Sequence, residues 1–386
     1  MRSAVVVGAG IGGLATAGAL ARTGWQVTLL ERADRVRAER TALFLWPDGV
    51  RALRWLGLGD GLDAIATPVP HAGIRRPDGQ WLAQPTGAGA VPVVVHREDL
   101  HDTLVAGLGD RVTIRTGVSV RGLRTAAGDR PVVTDGRSEF EADLVVAADG
   151  VDSAVRQRLA PEAAAASAGC AAWRAVIPWY RAPHLSVGGE TLGAGYRFVA
   201  VSLGDRGSSG ASSRGGIYWV ATAVGAPRPE PPATQLALLR RWFADWHGSV
   251  GDLLAATEPE DLVQQDVREL RPLPHAYAFP SGSGGVVLLG DAAHAMPHHL
   301  GQGACLTLED AATLRAVLHD AIPGHGLRAA IRRYGELRRP PAARAARQTR
   351  RVGAVVQARG RLALRARDSV LGTRTLNRLL TVRTDG

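Results

Sequence analysis

The first 31 residues constrain the fold of this chain more than any other stretch. The β-branched run Ala4-Val5-Val6-Val7 meets a glycine-rich turn, Gly8-Ala9-Gly10-Ile11-Gly12-Gly13, after which Ile11, Leu14, Ala15 and Gly18 recur at the spacing of one helical face. A second run, Val27-Thr28-Leu29-Leu30, ends in Glu31 and Arg32. Strand, turn, helix and strand in that order predict a βαβ unit and an α/β fold. Glycines at Gly8, Gly10 and Gly13 permit the tight turn, the approach of a pyrophosphate to the backbone and close packing of helix on strand. The helix N-terminus then offers oriented N–H groups to the phosphates. Glu31 stands at the distance where a carboxylate takes the hydroxyls of an adenosine ribose. This pattern argues for a dinucleotide site and against an export signal, which Arg2 and the small residues Ala17-Gly18-Ala19 would otherwise suggest.

No other segment approaches roughly eighteen consecutive apolar residues without a charge, so no membrane span is expected. Two cysteines, Cys170 and Cys305, make neither a disulfide framework nor a cysteine-rich metal site. The expectation is a soluble cytoplasmic protein, monomer or homodimer, with a small-molecule partner and with neither nucleic acid nor membrane. All 46 basic residues are arginine, which excludes a lysine nucleophile or Schiff base. Sixteen of them lie beyond residue 320. They are spread through helical patterns, as around Leu362 and Leu364, without a nucleic-acid module. They read as a solvated helical face able to steer an anionic substrate or a nicotinamide cofactor.

Two further motifs follow apolar runs. Asp143-Leu144-Val145-Val146-Ala147-Ala148-Asp149-Gly150 leads to Arg156, and Val286-Val287-Leu288-Leu289 leads to Gly290-Asp291-Ala292-Ala293-His294. Beyond the latter, Leu300-Gly301-Gln302-Gly303 opens a helical pattern. Between the motifs, the sequence predicts a helix around Gly49 to Leu58 and another from about Arg97. Residues 161–169 read as an Ala-rich connection. Strand-like segments follow around 171–180, 190–203 and 216–223, then a helix over Gln235 to Trp246. These alternate aromatic and small residues, which suits a broad sheet over a pocket. The expected division is a discontinuous Rossmann-like domain (1–70, 96–165 and 266–330), an interleaved β-sheet substrate domain (71–95 and 166–265), and C-terminal helices (331–386).

The three motifs, in this order, resemble those of the single-component FAD-dependent aromatic hydroxylases of the para-hydroxybenzoate hydroxylase fold, and most of all the short salicylate and urate hydroxylase-like branch. The resemblance spans nearly the whole chain. It implies bound FAD, NADPH or NADH as transient reductant, and dioxygen as co-substrate. It also implies hydroxylation of an aromatic or polycyclic small molecule through a C4a-hydroperoxyflavin. Asp291 would accept hydrogen bonds from the ribityl hydroxyls, and Arg97 would stand on the flavin side. Leu300 to Gly303 would set backbone N–H groups beside the pyrimidine edge of the flavin. Asp149 and Arg156 would lie near the pyrophosphate and assist the nicotinamide encounter. The difficult oxygen chemistry is the cofactor's, and no metal is implied.

One departure stands out. Members of that family usually carry proline where this chain has His298, followed by His299. Either imidazole could hydrogen-bond substrate or flavin, or act as a base near neutral pH; loop structure with solvent-facing rings is the plainer alternative. Trp173, Arg174, Tyr196, Arg197, Tyr218 and Trp219 are candidate substrate contacts from the covering sheet, and the aromatic ones could equally build its core. Arg174 or Arg197 is suited to grip a carboxylate or enolate. Epoxidation and Baeyer-Villiger insertion use the same cofactor. A flavin-dependent halogenase would need a lysine that is absent and a Trp motif of which Trp173 to Pro178 has only part. An isoprenoid reductase would consume no oxygen, and a flavin-binding redox sensor would show no turnover.

Overall fold

A computed structural model describes residues 2–69, 73–84, 91–126, 129–185, 187–204, 214–225 and 230–372. The last fourteen residues of the expected C-terminal segment lie outside the described residues. The chain opens with β1 (Ser3–Val7), α1 (Ile11–Arg22) and β2 (Gln26–Leu30), as the glycine-rich turn requires. Next come β3 (Ala42–Leu45), α2 (Pro47–Trp55), α3 (Gly59–Ile65) and the short strands β4 (Thr67–Pro68), β5 (Ile74–Arg75) and β6 (Trp81–Ala83). The helix expected over Gly49 to Leu58 is therefore α2, which starts at Pro47 because proline suits a first helical turn and stops before Gly57.

Then follow β7 (Val93–His96), α4 (Arg97–Ala106), β8 (Val112–Arg115), a small antiparallel sheet of β9 (Gly122–Arg124), β10 (Val132–Thr134) and β11 (Glu139–Glu141), then β12 (Leu144–Ala147) and α5 (Ala154–Leu159). The covering sheet is built from β13 (Ala165–Ile177), β14 (Gly189–Leu192), β15 (Tyr196–Ser202) and β16 (Ile217–Val224), backed by α6 (Pro232–Trp242) and α7 (Gly248–Ala256), and closed by β17 (Val263–Leu270). The chain returns through β18 (Ala278–Ser281), β19 (Gly284–Leu288) and the one-turn helix α8 (Asp291–His294), and continues in α9 (Gly303–Leu318), α10 (His325–Val356) and α11 (Arg361–Gly372).

The first sheet has the order β18-β19-β12-β1-β2-β8, parallel except for β18. β1, β12 and β19 carry almost nothing but Ala, Val, Leu and Gly because both faces are covered, and Val5, Val6, Val145, Val146, Val286 and Val287 are all buried. The three motifs all leave the same edge. Gly8 follows β1, Asp149-Gly150 follows β12, and Gly290-Asp291 follows β19, so their groups converge at the carboxyl ends of the parallel strands.

The second sheet has the order β17-β13-β16-β15-β14-β5-β6. Two expectations shift here. Residues 165–169 are strand rather than connection, because Ala165 and Ser167 pair with Leu270 and Arg268 before a bulge ahead of Ala171; long-range pairing overrides the weak β-preference of alanine. β17 belongs to this sheet as far as Leu270, so a boundary at 266 would cut it in two.

Candidate active site

Between the motif edge of the first sheet and one face of the second lies a cavity of about 950 Å3, lined by Gly10, Arg97, Asp291 and Leu300 to Gly303 from below and by Arg174, Arg197 and Tyr218 from above. A second cavity, of about 1610 Å3, adjoins it across the glycine turn and is lined by Gly8, Glu31, Arg32 and Asp149. Gly10, Ala148 and Gly150 border both. The two form one elongated recess, of a size for a ligand with two ends.

The cradle at its centre is shaped by missing side chains. A Cβ on Gly13 would lie 1.8 Å from the Gly8 carbonyl oxygen, whereas one on Gly10 would meet nothing within 4 Å. Gly13 is thus required by the packing of α1 on the turn, and the space above Gly10 is left open to a ligand. Glu31 accepts from the Ala9 N–H (2.8 Å) and the Ala33 N–H (2.9 Å), which fixes its carboxylate while leaving lone pairs for a diol. Arg32 lines the same cavity.

Asp149 accepts from the Val155 N–H at 3.4 Å, and burial pushes its carboxyl above the usual range. Among the described residues its Oδ1 is buried with no hydrogen-bond partner, as is Gln302 Oε1. Asp291 begins α8 and faces the first cavity, beneath Arg174, Arg197 and Tyr218. Gly301, at φ +62°, turns the chain into α9, whose first turn stands on the cavity rim. Trp46 Nε1 donates to the Leu300 carbonyl at 3.0 Å and holds that loop down. Two glycine-lined turns, a ribose-ready carboxylate and helix N-termini around one recess fit a dinucleotide flavin.

Arg156 is placed elsewhere than expected. Its guanidinium is buried and donates to the carbonyls of Ala163 (3.0 Å), Ala292 (3.3 Å) and Val151 (2.6 Å), and it borders neither cavity. Its charge is spent on tying backbone together, so it is not a pyrophosphate contact.

The alternation of strand side chains divides the six candidate substrate contacts into two sets. Arg174, Arg197 and Tyr218 line the cavity. Trp173, Tyr196 and Trp219 lie on the opposite face, packed under α6 and α7. There Trp173 Nε1 donates to Gln235 (2.9 Å), Trp219 Nε1 donates to Thr257 (3.0 Å), and Tyr196 packs on Trp242 and Phe243. These three are core residues and not substrate contacts.

Within the cavity-facing set the two arginines differ. Arg197 is neutralised by Glu190, with Nε 2.7 Å and Nη2 3.0 Å from its carboxylate oxygens. Arg174 donates to Gln265, and among the described residues it has no carboxylate within 4.0 Å. Burial raises the Tyr218 phenol above its ordinary value, against a lowering from Arg174, so Oη keeps its proton.

The two histidines border the cavity, but neither suits a base near neutral pH. Burial, with the nearby Arg174 and His299 next, drives His298 well below the ordinary histidine value. Burial and Arg197 lower His299 to about 3. His298 Nε2 meets Thr222 Oγ1 at 3.3 Å, and His299 Nε2 meets the Gln357 amide at 3.3 Å. The Nδ1 atom of each ring is buried without a hydrogen-bond partner among the described residues. Both are neutral rings that seat the loop between the second sheet and α10.

Sequence reasoning missed Trp46, Glu190, Thr222, Gln265 and Gln357. Parity could have found Glu190, which lies on the cavity face of an expected strand; Gln265 comes from β17, a strand the sequence pattern does not announce, and Trp46 and Gln357 come from elements with no local signal. Among the described residues no group of three or more His, Cys, Asp or Glu side chains is disposed to hold a metal ion, and no helix is long and apolar enough to cross a membrane.

Comparison with known proteins agrees with this geometry. The model of the FAD binding domain family matches residues 1–349. The chain is 31% identical over 323 residues to the aurachin C monooxygenase/isomerase of Stigmatella aurantiaca, covering 81% of this chain and 80% of that protein. It is 33% identical over 358 residues to the 3-amino-4-hydroxybenzoate 2-monooxygenase of Streptomyces cremeus, covering 90% and 86%. The crystal structure of Klebsiella pneumoniae HpxO complexed with FAD and uric acid matches with a TM-score of 0.80 at 25% identity, over 98% of this chain and 95% of that one. The chain therefore belongs to the FAD binding domain family and is an FAD-dependent monooxygenase.

Proposed function

We propose that the enzyme hydroxylates an electron-rich aromatic ring bearing an acidic group, which it holds against Arg174. The observation that carries this reading is the contrast between the two cavity arginines. Arg197 already has its carboxylate in Glu190, whereas among the described residues Arg174 has no carboxylate within 4.0 Å and faces the Gln265 amide, the Tyr218 phenol and the neutral His298 ring. A cation left without a counter-ion on a partly desolvated wall favours a ligand that brings one.

When bound, FAD supplies acceptance of hydride from NADPH or NADH and the activation of dioxygen. Glu31, Asp149, Asp291 and the Leu300 to Gly303 turn would hold it, with Gly10 leaving its path open, Gly8 and Gly13 allowing the close backbone packing of the turn, and Arg32 and Arg97 at its flanks. Arg174 fixes one edge of the substrate. Tyr218 Oη, held protonated, donates to the oxygen of a phenolate or carboxylate and limits its rotation. Val199, Val201 and Val220 supply the apolar wall, which keeps water from the reacting ring. His298 and His299 keep the loop over the cavity in place as neutral rings and take no proton.

A test pairs hydroxybenzoates with their methyl esters and follows NAD(P)H oxidation under air. The acids should stimulate oxidation and gain one oxygen, and Arg174→Gln should raise KM for the acids at least tenfold while leaving the esters unchanged. Equal response to acids and esters in the native enzyme would refute the assignment.

A further inference from the structure

Beneath the Gly290 turn lies a set of buried charges that touches neither cavity. Asp310, on α9, is fully buried, and its Oδ2 accepts from two groups at once: the Gly290 N–H at 3.0 Å and His294 Nε2 at 2.7 Å. Those groups bracket α8, which is only four residues long, and Asp291 is its first residue. A single carboxylate oxygen therefore clasps both ends of the one-turn helix that presents Asp291. Oδ1 of the same residue accepts from Arg338 Nε at 2.6 Å, and Arg338, on α10, donates also to Glu309 (3.0 Å) and to the Leu306 carbonyl (3.2 Å). From the other side, Arg156 donates to the carbonyl of Ala292 in the middle of α8. Tyr334 adds a bond to the Leu288 carbonyl, just before the turn, at 2.9 Å.

A helix of one turn has almost no internal bonds to hold it. Gly290 enters it at φ +62°, and its local bonds, from the Ala293 and His294 N–H groups to the Gly290 carbonyl (2.8 Å each), close the turn without tying it to its neighbours. Buried ion pairs contribute little net stability compared with apolar side chains of the same volume. A network of this kind is better explained by what it orients than by what it stabilises. We propose that Asp310, His294 and Arg338, with Arg156 opposite, are positioning residues that aim Asp291 into the cavity and so set how tightly the chain retains FAD. This rests on Asp291 being a cofactor ligand, as given under the proposed function.

The test strips FAD from the purified holoenzyme and titrates it back, reading the dissociation constant from flavin fluorescence quenching and the shape of the visible band at saturation. The apolar triple variant His294→Leu/Asp310→Leu/Arg338→Met removes the network without leaving an unpaired charge among these three residues. Its apoprotein should melt within a few degrees of the native one, yet bind FAD at least tenfold more weakly and with an altered band. Unchanged FAD affinity in the folded triple variant would overturn the clasp. Should the triple variant fail to fold, His294→Leu, which keeps the Asp310–Arg338 pair, decides: a severalfold weaker FAD complex supports the proposal and an unchanged one overturns it. Asp291→Ala separates the two layers. If it binds FAD like the native chain, the assignment of Asp291 fails and the clasp with it. If it weakens binding while the network variants do not, only the clasp fails.

Discussion

Tyr218 and Trp219 are neighbours in β16 and belong to different parts of the protein. Tyr218 lines the cavity, whereas Trp219 is stacked on Phe198 with ring centroids 5.3 Å apart and bonded to Thr257 beneath α6 and α7. The boundary between site and core thus runs through a single peptide bond.

The two residues should separate cleanly on substitution. Tyr218→Phe removes only the Oη group at the cavity and should leave the melting temperature nearly unchanged, while raising KM or the fraction of NAD(P)H oxidised without product. Trp219→Ala empties a fully buried site and should cost about 3–5 kcal/mol of stability. Denaturant unfolding beside steady-state kinetics checks both; a kinetic defect in Trp219→Phe with no loss of stability would contradict the division.

The glycine turn makes a second pair. Gly13→Ala would push a methyl group to 1.8 Å from the Gly8 carbonyl, so α1 must shift and both stability and FAD binding should be lost. Gly10→Ala meets nothing within 4 Å of the protein. It should fold normally and still bind FAD at least tenfold more weakly, because the methyl group occupies the phosphate approach. Thermal melts of the apoproteins and FAD titration distinguish the two.

How much of this was legible in sequence depended on whether the signal was local. The βαβ start, the three motif turns and the sheet over the pocket are written in short runs of glycine and β-branched residues. The strand at Ala165 to Gly169 was not, since alanine is indifferent and only pairing with Leu270 and Arg268 makes it a strand. Arg156 and Trp173 were misplaced for a related reason. Motif position said they were near the site, but a side chain's direction follows from strand parity and from which carbonyls lie within reach. The pairing of Asp310 with His294 links residues on two helices, and no pattern in either helix announces it.

Acid should destabilise the fold through His299. Its folded value is near 3 against an ordinary 6.5, so the unfolded chain binds the extra proton first. The contribution is complete above about pH 6.5 and falls as pH drops toward 3, by up to about 1.4 kcal/mol per pH unit. His299→Phe should flatten the dependence of melting temperature on pH between 6.5 and 4. An equally steep dependence in that variant would show that the ring is not held neutral. The same depression means that no histidine limb near pH 6.5 assigned to His298 or His299 should appear in the pH profile of hydroxylation.

The most direct measurement is turnover under isotopically labelled dioxygen, with NAD(P)H and the hydroxybenzoate that best stimulates its oxidation, followed by mass spectrometry of the product. One labelled oxygen atom on the ring, in a product that Arg174→Gln makes only at much higher substrate concentration, is the expected result. Oxidation of NAD(P)H with no labelled product from any aromatic acid would contradict the proposed hydroxylation, and labelled product formed equally well by Arg174→Gln would contradict the assignment of its site.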